Sequence, residues 1–76
     1  MTPARVALLR HGEALPSARG GRDFERPLSD RGLLEARGAA LAIATVMPQP
    51  DLILASSARR TMQTAETARD TAFDGV

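Results

Sequence analysis

The chain has 76 residues, ten arginines against nine acids for a net charge of +1, no cysteine and a single histidine. One small domain is the most this length supports, and it would hide only roughly 60% of the surface its unfolded chain exposes. Without thiols there is no disulfide framework or thiolate metal site, one histidine rules out multi-histidine cages, and near-neutral charge without tyrosine or tryptophan argues against nucleic-acid binding.

We therefore expect no metal, no cofactor and no nucleic-acid partner. The opening residues, MTPARVALLRHGEA, lack a long apolar region and a cleavage site. No apolar run approaches the ~18 residues that would cross a bilayer. The expectation is a soluble, cytoplasmic protein without a membrane partner. Every basic residue is arginine, a planar fork suited to phosphate and carboxylate, although GC-rich coding alone would leave the same mark.

Residues 5–9, "RVALL", form a continuous apolar run too short for a helix, which predicts a strand buried on both faces. Residues 12–27, with Gly20, Gly21, Pro16 and Pro27, read as a long charged loop. Its Ser17, Arg19, Arg22 and Arg26 could meet an anionic substrate, but a flexible solvated loop is the simpler reading. Ser29 then looks like an N-cap. Behind it Leu33, Ala36, Ala40, Ile43, Ala44 and Met47 recur at helical spacing, with Arg31 and Glu35 one turn apart on the opposite face. Gly32 and Gly38 weaken this helix, and Pro48 and Pro50 end it.

Residues 51–55, "DLILA", predict a second buried strand. Ser56 and Ser57 then cap a helix from about residue 58 to 72, with Ala58, Met62, Ala65 and Ala72 as its apolar stripe. Phe73 to Val76 read as a turn, with the aromatic left nothing to pack on. Strand, helix, strand, helix is the pattern of a parallel α/β layer, whose ligands bind beyond the carboxyl ends of the strands. That edge gathers Arg10, His11, Gly12 and Glu13 from one strand end, and Ser56 to Arg60 from the other.

Such an edge suits phosphoryl transfer. A neutral imidazole attacks phosphorus well, and the phosphoramidate it forms can be hydrolysed in a second, easier step. The transferring group carries its charge on equatorial oxygens, so arginines and backbone amides do most of the remaining work. Arg10 supplies one fork and Arg60, in the first turn of the second helix, another. The amides near Ser56 and Ser57 offer an anion site, and Gly12 lets the chain turn sharply and approach the phosphate. Glu13 could orient His11 or Arg10, act as a general acid, or merely place a carboxylate in the loop.

"LLRHGEA" resembles the signature of the histidine phosphatase superfamily, the phosphoglycerate-mutase-like enzymes. "RPLSDRGLLEA" at 26–36 is similar to the segment opening that family's first long helix. "LASSARRTMQTAE" at 54–66 carries its pattern of serine, arginine and threonine at Ser56, Arg60 and Thr64. Among the branches, "DFERPLSDRG" at 23–32 most resembles the small SixA-type phosphohistidine phosphatases, while Gly12-Glu13 leans toward the mutases and general phosphatases. The resemblance implies a three-layer α/β/α fold with a mostly parallel sheet, of which residues 1–76 would be the N-terminal portion of a single domain. It implies a phosphate-accepting His11, pocket arginines at Arg10 and Arg60, and the serine preceding the second at Ser56. Gly12 is read from its position as a further phosphate-binding site, Glu13 as a supporting residue, and Arg59, outside the motif, as solvated.

It also implies a second pocket histidine, and in many branches a carboxylate acid, farther along. With no second histidine in these residues, the natural protein is expected to continue past Val76. A phosphohistidine leaves as imidazole, already close to protonation near neutral pH, so a site without an evident acid suits it better than a phosphate monoester. The expected partner is a phosphorylated protein. The alternatives are a small phosphate monoester or a non-catalytic, anion-binding relative.

Overall fold

The computed structural model describes residues 5–17 and 20–76; Arg19, considered above as an anion contact, lies outside them. Two helices carry the architecture: α1, Asp30–Val46, and α2, Arg59–Ala72. Ser29 starts α1 by accepting the Gly32 N–H at 3.0 Å, which satisfies one of the amides a helix start leaves open. Met47 closes it just before Pro48, where the ring would clash with the preceding turn. Both ends of α1 fall where the sequence places them.

The start of α2 is built differently. Its N-cap is Ala58, which has no side-chain cap. Ser56 instead pairs its hydroxyl with that of Thr61 at 2.6 Å, and the Thr61 hydroxyl lies 2.8 Å from the Ala58 carbonyl. Ser56 thus braces the first turn side chain to side chain rather than capping its amides. The inward face of α2 is also rotated from the stripe read in the sequence. Thr64 and Ala68 are buried, whereas Met62 is exposed. Thr64 can go inside because its hydroxyl donates to the Arg60 carbonyl at 2.8 Å, leaving its methyl to pack.

The two helices pack on each other around Ala40, Ala68 and Phe73, flanked by Leu9, Ile43, Ile53, Ala72 and Val76. Phe73, expected to have nothing to pack on, is one of the most buried side chains. Small residues at 40 and 68 let the helix backbones approach, and the ring fills the space beyond them.

The expected mostly parallel sheet of an α/β/α fold does not form. Among the described residues there is no strand, and the one β-bridge joins Ala14 to Leu28 in antiparallel sense. Residues 5–9 and 51–55 lie without a ladder, and no backbone hydrogen bond joins them. Leu9 and Ile53 pack on the helix pair, while Val6, Leu8, Leu52 and Leu54 are 81%, 93%, 69% and 85% exposed. Parallel pairing is stable when both faces are covered, and here the helices cover one face alone.

The loop between residues 12 and 29 is not the free strap its composition suggests. Leu15 N–H donates to the Pro27 carbonyl at 2.8 Å, Ser29 N–H to the Glu13 carbonyl at 2.9 Å, and a short 3-10 turn occupies Asp23–Glu25. A further bond ties the loop to α2: the Leu28 N–H reaches Gln63 Oε1 at 2.6 Å. No helix among the described residues is long and apolar enough to cross a membrane.

Candidate functional site

His11 sits half-buried where residues 5–9 run into the loop. Its Nδ1 is 2.8 Å from the Gly12 carbonyl oxygen. A carbonyl only accepts, so this contact requires the proton on Nδ1, which in the neutral ring puts the lone pair on Nε2. In a neutral ring, the Gly12 carbonyl therefore selects the tautomer that presents Nε2 as a nucleophile.

Gly12 is required by a close backbone contact rather than by a positive φ. Positive φ among the described glycines occurs at Gly20 and Gly75 and not here. A Cβ on Gly12 would lie 2.6 Å from the Gly32 carbonyl oxygen, and a Cβ on Gly32 would meet the Glu13 carbonyl. The His11 segment lies directly on the first turn of α1, and glycine is required on both sides of the contact.

Glu13 and Ser29 lock that contact. Ser29 Oγ stands 2.8 Å from Glu13 Oε1 and 3.1 Å from the Glu13 carbonyl, while Glu13 N–H donates to Glu35 Oε1 at 3.0 Å. Glu35 thus faces the loop rather than pairing with Arg31, the helical partner its spacing suggests. The Glu13 carboxylate is held by the Ser29 hydroxyl, with no hydrogen bond to His11 or Arg10 among the described residues.

Two clefts meet at His11. One, of about 460 Å³, is lined by Arg10, His11 and Glu13 together with Arg26, Arg31 and Glu35. The other, of about 500 Å³, runs between the helices and the two apolar segments, and is bordered by His11, Ser56, Thr61 and Thr64. Arg10, His11, Gly12 and Glu13 border one cleft together, and Ser56 borders the other cleft with His11. Arg60 lines neither cleft. Its guanidinium is held by Asp23, with NH1 donating to the Asp23 carbonyl at 2.9 Å and NH2 to Oδ2 at 3.1 Å. Arg59 is exposed.

Asp23 is the residue that sequence reading passed over. Its Oδ1 accepts from Arg26 NH1 at 3.0 Å, and Arg26 Nε donates in turn to the Leu15 carbonyl at 2.8 Å. The Arg26 hydrogen bond, then the charge of Arg60, holds the Asp23 carboxyl below its ordinary value of 3.8. The spacing of Asp23 and Arg26, three residues apart in a turn-forming loop, was the signal available for half of this network. Nothing in the sequence pointed to its link with Arg60.

Residues 6–73 match the model of the histidine phosphatase superfamily, branch 1. The match covers most of the chain, and the chain belongs to that superfamily. Among solved structures it is similar to one described as a phosphohistidine phosphatase SixA from Agrobacterium tumefaciens, with 43% sequence identity and a TM-score of 0.79. The similarity covers 90% of this chain and 44% of the other, so the chain spans less than half the length of that relative. Among curated proteins there is no match.

Proposed function

We propose that the protein bearing this chain is a phosphatase that passes a phosphoryl group from protein phosphohistidine to His11 and then to water. The observation that carries this reading is the His11 imidazole, whose Nδ1 is committed to the Gly12 carbonyl while Nε2 makes no hydrogen bond among the described residues, in a cleft that Arg10 also lines. Membership of the superfamily supports the reaction class, and similarity to a SixA-type protein supports the substrate.

In the first step the Nε2 lone pair attacks phosphorus, the bond to the substrate's imidazole nitrogen breaks, and the departing ring takes up a proton. In the second, water attacks the phosphorus of phospho-His11, releasing orthophosphate and restoring the neutral ring. Arg10 and Arg60 are the forks for the equatorial oxygens, with Gly12 and Ser56 as phosphate-binding positions. Glu13 acts in support, keeping the His11 segment seated on α1 through Ser29.

The test is mass spectrometry of the full-length protein after incubation with phosphoramidate. An acid-labile phosphate on His11 is the expected result, and equal labelling of a His11→Ala variant would overturn the mechanism. Binding without labelling would favour a non-catalytic anion-binding relative. Faster turnover of small phosphate monoesters than of a phosphohistidine protein would move the substrate class.

A further inference from the structure

We infer that Asp23 is a positioning residue for the reaction, setting the direction of the Arg60 guanidinium through a bridge to the His11 side of the site. The inference rests on the proposed role of Arg60 and concerns a residue with no role in that reading so far. Asp23 offers Arg60 two acceptors at once, its carbonyl and Oδ2, to the two terminal nitrogens. Two bonds to two nitrogens of a planar group fix its orientation, where one would fix only a distance. The same carboxylate holds Arg26 through Oδ1. Arg26 is anchored to the Leu15 carbonyl and lines the cleft with Arg10 and His11.

A continuous chain of bonds therefore runs from α2, through Asp23 and Arg26, to the segment just beyond His11. Arg60 Nε makes no hydrogen bond among the described residues, so the grip on the guanidinium is through its two terminal nitrogens alone. The alternative, a carboxylate merely plugging the fork until phosphate displaces it, fits less well. A backbone carbonyl shares the grip, and displacing the side chain would leave that bond in place. The Asp23 side chain is 67% exposed, so its removal touches little packing and should leave the fold intact.

The experiment compares Asp23→Ala, Asp23→Asn and His11→Ala with the unsubstituted full-length protein, reading kcat and KM for an aryl phosphate and for phosphoramidate together with Tm. Asp70→Ala is the control, because it removes an equivalent exposed pair, with Arg69, elsewhere on α2. We expect Asp23→Ala to lower kcat about tenfold with little change in KM or Tm, since misplacement well under 1 Å is enough for such a loss. Asp23→Asn should fall between, and Asp70→Ala should match the unsubstituted protein. An unchanged kcat in Asp23→Ala beside a dead His11→Ala would overturn the positioning role while leaving the proposed mechanism standing. A raised kcat would overturn it too, showing that Asp23 restrains Arg60. Activity surviving in His11→Ala would instead remove the mechanism itself; the position of the Arg60 guanidinium proton resonances by NMR, unchanged between Asp23→Ala and the unsubstituted protein, would then count against the positioning role separately.

Discussion

Arg59 and Arg60 are neighbours with identical chemistry and different surroundings. Arg60 is 21% exposed at its side chain and gripped by Asp23, while Arg59 projects into solvent. Arg60→Ala should cost on the order of 10²–10³ in kcat, as loss of a preorganised charge donor does, and Arg59→Ala little. Equal losses in steady-state assays would show that the wrong arginine has been assigned. Asp23 adds a pH signature. Its carboxyl is held below 3.8 when folded, chiefly by the Arg26 hydrogen bond and then by the charge of Arg60. The stability it contributes is therefore complete above that ordinary value and is lost as pH falls through the lowered one. Thermal melts of Asp23→Asn and the unsubstituted protein should keep a small, constant offset from neutral pH down to the unfolded value, then converge at more acid pH. Divergence on acidification would contradict the assignment.

At the scale of elements, α1 carries two interior glycines with opposite meanings. Both cost helix propensity, about 1 kcal/mol each relative to alanine. Gly38 is exposed, and a Cβ there meets nothing within 4 Å. Gly38→Ala should thus stabilise the protein by roughly 0.5–1 kcal/mol in denaturant unfolding. Gly32 lies against the Glu13 carbonyl. Gly32→Ala should destabilise by roughly 1–3 kcal/mol despite the better propensity, and should also lower activity by lifting the His11 segment. A gain in stability from Gly32→Ala would mean that the loop is not seated on the helix. Ser29→Ala removes both the cap and the grip on Glu13, so its cost should reach or exceed the ~1 kcal/mol usual for an N-cap.

At the scale of the whole molecule, one side is finished and the other open. The helix pair and Phe73 form a small core, while Val6, Leu8, Leu52 and Leu54 face outward from the two apolar segments. Grouped exposure of large aliphatic side chains drives association. Residues 1–76 alone should therefore sediment and melt in a concentration-dependent way, and Leu8→Thr with Leu54→Thr should weaken that dependence. A cooperative, concentration-independent monomeric melt of these residues would show that the open face is tolerated.

The sequence by itself determined what is local. The helical repeats, the Ser29 cap, the prolines after α1 and the Arg10-His11-Gly12 triplet are each read within a few residues, because turn chemistry and the 3.6-residue period act over that range. The same holds for the three family motifs, which lie in short stretches of chain. Only the tertiary structure decided the rest. Apolar runs at 5–9 and 51–55 satisfy a strand pattern, but pairing depends on what covers their second face, which no local pattern records. Gly12 against Gly32 and Phe73 inside the core are contacts between segments distant in sequence. Asp23 reaches Arg60 across 37 residues, and charge-bearing side chains in a loop carry no sign of which distant partner the packing of two helices will bring within 3 Å.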